Sequence, residues 1–523
     1  MRKHVLWTAC VAVAGSGALW AANWPTVAGN PQRDGWAQGE THLLPETASK
    51  ITLLYKHVFK GVKASGLNTL TGVIDISQVI GYTGFHEFLW TSAASGTIFQ
   101  NDADLNYEFK TATTPAAAAK GESGTLQCPG GVTAAPVLFG LSSVSRFGGG
   151  APGGLRSGYL WNVGADGKAY TMRQQDSNNT WIPASQLVPA GANISALTMT
   201  ANSTLMAATI NGCGGVANGL YASTFTYPEI ENEPLKPFKK PPSWTAPLQF
   251  LTGGAGFAGA GGVATDVKGD VVFGTIPQGK GTVAGEYSDT TVKLDAKTLA
   301  VTDYFTPAGV PAYKAGDVGV TPAVFTQDGK DMVIAGDRAG RVYLLDGASL
   351  GGANHHTPLF ATEPLVAAGA GAGVFGHFAT WVDDAKVRWV LAAVHGPLKV
   401  PGTGSGDGAM VAFKVTGTTR PKLVPAWSVA MQSPAGPVVI GGLVAALSSG
   451  LPTNIAGMTP AQVEKTAKPA KLSILNASTG AEVFNSGSSM TSFSTTPVAA
   501  ANGHIYVITH DNTLLQFGIP EER

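Results

Sequence analysis

Histidines are the residues in this sequence whose placement most suggests chemistry. His377 lies in VFGHFATW, immediately before a predicted β-strand, and His395 in AAVHGPL ends the next predicted strand. An adjacent pair, His355 and His356, precedes both. Imidazole can take up a proton near neutral pH or bind a metal ion, so His377 and His395 are candidates for a general base or a ligand-binding group. The alternative is that they are loop histidines whose hydrogen bonds serve only the fold.

Two cysteines lie beyond the N-terminal segment, each in a glycine-flanked loop. They are Cys128 in CPGG and Cys213 in NGCGG. In an oxidising compartment the two could form one disulfide, and the sequence is equally compatible with two buried free thiols. Neither has the neighbouring histidine or cysteine residues of a zinc site, so no metal centre is expected from them.

The composition limits the partners. The chain has 34 basic and 34 acidic residues, no formal net charge and a pI near 7.1. No basic field is therefore present to attract nucleic acid or an anionic membrane surface. Charged residues make up only 13% of the chain and glycines number 68, which favours short strands and tight turns over helices. The sequence contains no P-loop and no nucleophile elbow.

A repeated strand, turn, strand pattern is the main organising feature. DMVIAGDRAGRVYLLDGASLGG predicts a β-hairpin with strands at Met332–Ala335 and Val342–Leu345. In this copy Gly340 lies six residues after the large apolar residue Ile334. Two further copies show the same spacing, Trp90 with Gly96 and Trp161 with Gly167. The pattern recurs every ~50 to 60 residues, a spacing close to that of propeller blades.

These repeats predict an all-β fold with a single β-propeller of four-stranded blades. The count is eight, although seven remains compatible because two repeats are degenerate. The segment Ile51–Phe59 reads as a strand without a hairpin, whereas the last hairpin, Ile505–Phe517, lacks a fourth strand. We expect the N-terminal strand to complete the last blade and close the ring. In such a ring His377 would face the central channel, and His395 would lie at its mouth.

The N-terminus has the pattern of an export signal. Met1–His4 is basic, Val5–Trp20 is apolar, and Ala21–Ala22 suits cleavage. We therefore expect a signal peptide at 1–22 and a propeller domain at 23–523, exported to the periplasm or the extracellular space as a monomer. The apolar stretch is short and rich in glycine, so no transmembrane span is expected.

Several segments resemble the pyrroloquinoline quinone (PQQ) repeat propellers of the quinoprotein alcohol dehydrogenase-like superfamily. Trp24-Pro25, Gly29-Asn30 and Arg33, followed by the strand from Ile51, are similar to the N-terminal arm of those enzymes. The turns LDGASLGG and LNASTGAEVFNSG, the latter from Leu475, are similar to the repeat. The resemblance implies the propeller fold over nearly the whole chain. It implies less about function, because similar propellers also serve as assembly scaffolds of the outer membrane.

As dehydrogenases, members of that family bind PQQ and calcium. The best-known kind has a vicinal cysteine pair over the quinone and a catalytic aspartate beside calcium ligands from glutamate and asparagine. This chain has no vicinal cysteine pair, no identifiable set of those ligands and no haem attachment motif. The leading expectation is therefore a scaffold that binds a protein or a small-molecule ligand. The alternative is a PQQ- and calcium-dependent dehydrogenase that oxidises an alcohol or a sugar.

Overall fold

A closed ring of eight four-stranded blades makes up the computed structural model of the protein. The structure describes residues 23–81, 84–103, 108–114, 124–139, 159–173, 184–226, 243–281, 285–314, 317, 319–399 and 407–520. The all-β class and the count of eight blades are confirmed. The expected signal peptide at 1–22 lies outside the described residues. No described helix is long and apolar enough to cross a bilayer.

Blades 1 to 4 follow one another along the chain, and each is an antiparallel sheet. Given from the innermost strand outwards, the strands of blade 1 are Ile74–Gly81, Gly84–Ser92, Thr97–Asp102 and Glu108–Thr113; of blade 2, Val137–Phe139, Tyr159–Val163, Lys168–Arg173 and Ser185–Gln186; of blade 3, Ile194–Met199, Thr204–Thr209, Gly219–Thr226 and a divided outer strand, Ser243–Trp244 with Leu248–Leu251; and of blade 4, Val263–Thr265, Val271–Ile276, Thr290–Asp295 and Val301–Phe305.

Blades 5 to 8 complete the ring. In the same order, the strands of blade 5 are Ala323–Gln327, Lys330–Gly336, Val342–Asp346 and Phe360–Ala361; of blade 6, Gly373–Val382, Arg388–His395, Gly408–Thr416 and Lys422–Ala430; of blade 7, Val438–Ile440, Leu443–Ser448, Lys471–Asn476 and Glu482–Asn485; and of blade 8, Ala499–Ala501, His504–Thr509, Thr513–Gly518 and Thr52–Val58. Shorter elements connect them: strands Trp36–Ala37, Gly279–Gly281, Gly285–Tyr287 and Val320–Thr321, the 3-10 turns Ala48–Lys50, Cys213–Gly215 and Gly352–Asn354, and one α-helix, Pro460–Thr466.

The predicted hairpin lies in the middle of blade 5. Its strands are one to two residues longer at the ends than the sequence pattern indicates, and Ile334 pairs with Leu344 across them. Gly340, in the turn, has a φ of +80°, and a Cβ there would lie 2.5 Å from a methyl carbon of Val366. Only glycine fits this turn without strain, which explains its regular place behind the apolar residue.

The N-terminal strand closes the ring as predicted. Thr52–Val58 pairs antiparallel with Thr513–Gly518, and Thr52 lies opposite Gly518. The last blade therefore takes three strands from the C-terminal end of the chain and one from the N-terminal end. Thr52–Val58 forms the outer edge of this blade, and the two ends of the chain are joined there in one sheet, which closes the ring.

The arm before this strand contacts the blades in ring order. Hydrogen bonds join Trp24 to Asp75, Pro25 to Leu138, Thr26 to Leu197, Pro31 to Thr265, Gln32 to Val324, Asp34 to Thr380, Gly35 to Val439, and Glu40 to Gly503. Seven of these partners lie in the innermost strands of blades 1 to 7, and Gly503 follows that of blade 8. The arm thus makes one turn around the axis and covers one end of the central channel.

Arg33 fixes the arm in place from a fully buried position. Its Nε donates to Val263 O at 3.0 Å, and its Nη2 donates to Leu197 O at 2.8 Å and to Thr198 Oγ1 at 2.6 Å. Its Nη1 donates to Thr26 Oγ1 at 2.7 Å. Burial lowers the pKa of the guanidinium to about 9, so it remains charged at neutral pH. A guanidinium has more N–H donors than an ammonium group and holds them in a planar fork, so it can satisfy all of these oxygens at once.

Candidate functional site in the central channel

Two adjoining cavities lie in the central channel. They measure about 130 Å³ and about 250 Å³. The residues common to both walls are Ala260, Asp317, Phe375, Gly376 and Ile455. Most lining segments come directly before or at the start of innermost strands, so the site is built where several blades meet. Together the cavities suit a compact ligand.

A loop of blade 7 forms much of the wall of the smaller cavity. Leu451–Ala456 contributes six consecutive lining residues, and Ile455 reaches both cavities. The loop is attached by a hydrogen bond of 3.2 Å between the hydroxyls of Thr453 and Ser433. Behind it the helix Pro460–Thr466 begins with the capping box that the sequence predicts, formed by Thr459 and Gln462.

Asp317 is the one carboxylate among the described residues that line the cavities. Its Oδ2 accepts a hydrogen bond of 2.8 Å from the backbone of Lys314 and lies 3.5 Å from Nη1 of Arg338. The same guanidinium lies 3.0 Å from Asp289, and all three side chains are at most 11% exposed. Desolvation raises the pKa of Asp289 to about 6, although Arg338 opposes this shift. A polar group is therefore held rigidly at a largely apolar wall.

Both candidate histidines line the smaller cavity, but as buried neutral groups. His377 lies inside the innermost strand of blade 6, not before it as predicted, because that strand begins at Gly373. Its Nε2 lies 3.1 Å from Pro437 O, and Nε2 of His395 lies 2.8 Å from Pro434 O. A carbonyl only accepts, so each Nε2 carries the proton and each Nδ1 is a lone pair.

Burial also decides what these two histidines can do. It lowers the pKa of each imidazole to about 4. Among the described residues, Nδ1 of His377 has no hydrogen-bond partner. The ring of His395 stacks on Phe375 with centroids 4.1 Å apart and so supports the wall that both cavities share. A group with such a low pKa is a weak base at neutral pH, which favours a positioning role for both.

The other sequence candidates lie apart from the cavity linings. His355 stacks on Tyr304 at 4.0 Å and bonds Asp303 at 3.0 Å, whereas His356 bonds Thr306 O. Neither histidine is among the lining residues.

The two cysteines lie beside the larger cavity. The structure joins Cys128 and Cys213 in a disulfide with a Cα–Cα distance of 5.4 Å. Gln127, next to Cys128, lines the cavity, and its carbonyl accepts 3.0 Å and 2.9 Å hydrogen bonds from Asn211 and Asn193. The disulfide therefore ties a cavity-lining loop of blade 2 to blade 3.

Sequence reasoning missed Asp317 and Arg338. Both belong to blade 5: Asp317 precedes its innermost strand, and Arg338 lies in the turn of the hairpin described above. A comparison of the short segments that precede the innermost strands would have singled out Asp317, six residues before Ala323, because the other corresponding segments are rich in small residues and prolines.

The donor chemistry of the channel fits a flat, uncharged quinone better than it fits calcium. Apolar side chains of Phe375, Ile455 and Leu451 could contact a ring, and the hydroxyls of Ser433 and Thr453 lie nearby for its oxygens. Calcium takes six to eight oxygen ligands, several of them carboxylates. Asp317 is the one carboxylate in the described lining, and no cluster of three His, Cys, Asp or Glu residues occurs in the described ranges. The described residues of the lining therefore do not form a calcium site.

No protein-family model matches the chain, and no curated protein matches it in sequence. Several solved structures, however, are similar to this chain in fold. A quinohaemoprotein alcohol dehydrogenase from Comamonas testosteroni aligns with a TM-score of 0.54 at 11% identity, covering 96% of this chain and 81% of that one. One from Pseudomonas putida HK5 aligns with 0.57 at 10%, covering 96% and 82%. A europium-containing methanol dehydrogenase aligns with 0.54 at 11%, covering 95% and 98%. At these identities the likeness establishes the fold alone.

Proposed function

We propose that this chain, a propeller of the quinoprotein alcohol dehydrogenase-like fold, is a dehydrogenase that oxidises a small hydroxyl compound with a quinone as electron acceptor. The observation that carries the proposal is Asp317, a carboxylate held at the wall of both cavities by Arg338 and the backbone of Lys314. The similar solved structures are named as alcohol and methanol dehydrogenases, which favours catalysis over a purely binding role.

In this mechanism Asp317 accepts the proton of the substrate hydroxyl. A quinone, when bound, would supply the acceptor for the two electrons and the carbon-bound hydrogen, so that the alcohol leaves as a carbonyl compound. Arg338 orients the carboxylate, and the loop Leu451–Ala456 limits access of water to the smaller cavity. His395 holds Phe375 in place through the ring stack. Because the lining forms no calcium site, no step depends on calcium.

The expected setting is outside the cytoplasm. Residues 1–22 have the pattern of a signal peptide, and we propose that residues 23–523 act in the periplasm or extracellular space as a monomer.

A second candidate is a propeller that binds a ligand or protein without oxidising anything. One observation favours it: the described lining contains no lysine or arginine, whereas PQQ carries three carboxylates. Under this candidate Asp317 would serve as a hydrogen-bond acceptor for the ligand.

The test is dye reduction by the purified protein with short alcohols and sugars, supplied with PQQ or with a small neutral benzoquinone, each with and without calcium. We expect turnover with at least one quinone, without dependence on calcium, and a loss of about 10² or more in Asp317→Asn. Asp328→Asn is the matched control, because Asp328 is an exposed turn residue of the same blade with a φ that Asn tolerates. Substrate binding without turnover under all conditions would leave the second candidate in place.

A further inference from the structure

We infer that the channel selects small organic monocations, so that among hydroxyl compounds it takes amino alcohols and excludes carboxylates. The choice of an oxidised substrate rests on the proposed function, whereas the preference for positive charge does not. The preference for positive charge follows from the charged groups around the cavities.

Three carboxylates near the wall share two guanidinium groups. Arg338 lies 3.0 Å from Asp289 and also donates its backbone N–H to that carboxylate at 2.7 Å. Its contact with Asp317 is longer, at 3.5 Å. Asp337 is paired with Arg341 at 3.5 Å and accepts a hydrogen bond of 2.7 Å from the hydroxyl of Tyr343. One negative charge is therefore left without a cation of its own, and of the three carboxylates Asp317 is the one that lines the cavities.

The rest of the described lining contains no lysine or arginine. Arg33 in the arm is buried and charged, and its charge contributes to the lowered pKa of His377. It is not a lining residue, however, and its N–H groups donate to oxygens of Val263, Leu197, Thr198 and the arm itself, so they do not face a ligand in the cavities. The two histidines add lone pairs and no positive charge, and Nδ1 of His377 is buried without a partner in the described part of the chain.

The apolar walls suit the body of an alkylated ammonium ion. Phe375 and Ile455 line both cavities, and Leu451 and Pro452 line the smaller one. An aromatic face such as that of Phe375 attracts a desolvated cation. A trimethylammonium group therefore meets an acceptor at Asp317 and apolar contacts elsewhere, whereas a carboxylate would meet the charge of Asp317.

Three compounds of nearly equal shape test this inference by calorimetric titration of the purified protein without quinone: choline, its neutral carbon isostere 3,3-dimethylbutan-1-ol, and the anion 3,3-dimethylbutanoate. We expect choline to bind about tenfold or more tightly than the neutral isostere, a gap of about 1.4 kcal/mol, and the anion not to bind. In Asp317→Asn the gap should fall to within about threefold, whereas Asp328→Asn should keep it.

Equal affinity for choline and the isostere, or tighter binding of the anion, would overturn the inference. Calcium chloride is titrated in parallel, and binding of calcium without binding of choline would also overturn it, since the occupant would then be a metal ion. No quinone is present in these titrations, so they stay separate from the dehydrogenase proposal. If choline binds but is not oxidised, only the dehydrogenase proposal is contradicted. If a neutral alcohol is oxidised as efficiently as choline, only the charge preference is contradicted.

Discussion

Arg338 is shared unequally between Asp289 and Asp317, at 3.0 Å and 3.5 Å. All three groups are largely buried, so the guanidinium is the charge that makes burial of both carboxylates tolerable. Removal of one partner from a buried ionic group is far more destabilising than replacement of the whole group. Blade 4 and blade 5 are therefore joined by a contact that also positions the polar group of the channel.

Substitution of Arg338 by Gln should lower the free energy of unfolding at pH 7 by about 3 kcal/mol or more. The pKa of Asp289, already raised to about 6, should rise further without the cation. A carboxyl group with a raised folded-state pKa gains stability as pH falls through that pKa, so the deficit should shrink at pH 5. Urea unfolding at the two pH values measures this, with the exposed Arg420→Gln as control. A deficit independent of pH would argue against uncompensated burial of Asp289.

Substitution of Ile455 by Ala should widen the range of accepted ligands. Ile455 is partly exposed and touches both cavities, so truncation joins them with little loss of stability, about 1 kcal/mol. We expect bulkier alkylammonium compounds to gain about tenfold in affinity relative to choline, as measured by the same titrations. Val267→Ala, at an exposed position, should leave the size preference unchanged. An unaltered preference in Ile455→Ala would mean that the two cavities are not separated by this side chain.

We predict that the disulfide between Cys128 and Cys213 forms in the purified protein. Peptide mapping without reduction should recover the two residues in one cross-linked species. The double variant Cys128→Ser with Cys213→Ser should lose about 2–4 kcal/mol of stability, because the bond closes a long loop, with 85 positions between the cysteines. Ligand affinity should also fall, since Gln127 lines the larger cavity beside the bond. Free thiols at both positions in protein that still binds its ligand fully would contradict this account.

His395→Gln should become relatively more stable than the unaltered chain as pH falls. Burial lowers the pKa of His395 to about 4, so between about pH 6.5 and 4 the unfolded chain takes up a proton there that the folded chain does not. The unaltered chain therefore loses up to about 3 kcal/mol at this position, and the variant does not. The raised pKa values of Asp34 and Asp289 are common to both chains and cancel in the difference.

Unfolding in urea at pH 7, 5.5 and 4 checks this prediction, with the exposed His356→Gln as the control substitution. Parallel pH dependence of His395→Gln and the unaltered chain would show that the pKa of His395 is not lowered in the folded state.

The fold could be read from the sequence because its signals are local. The hairpin of blade 5 and the capping box at Thr459 depend on residues a few positions apart, and both are confirmed. The pairing of Thr52–Val58 with the last hairpin could be predicted despite its distance because both ends of the chain lacked a partner. Repetition supplied the rest, since each blade must bury the same faces.

The site was harder to predict because its members come from separate blades. Asp317 and Ile455 lie 138 positions apart in the sequence and face the same cavities. His377 was placed correctly near the channel, yet its strand begins earlier than expected and buries the ring. Whether the imidazole ring is buried depends on the neighbouring blade, and the sequence around His377 alone carries no information about that blade. The path of the arm could not be predicted either. Most of its hydrogen bonds join backbone atoms, which all residue types have, so they leave no recognisable pattern in the sequence.

The path of the arm has a consequence for how the protein is made. Residues 24–40 leave the ribosome before the blades do, yet their partners are spread over every blade, and the contact of Glu40 with Gly503 spans 463 positions. Contacts of such long range form late in folding. The arm therefore has to wait until almost the whole chain has been synthesised, and the inner edges of the early blades stay uncovered during that time. Delayed completion of this kind is compatible with the proposed export, because a chain that folds late can cross a membrane before its ring closes.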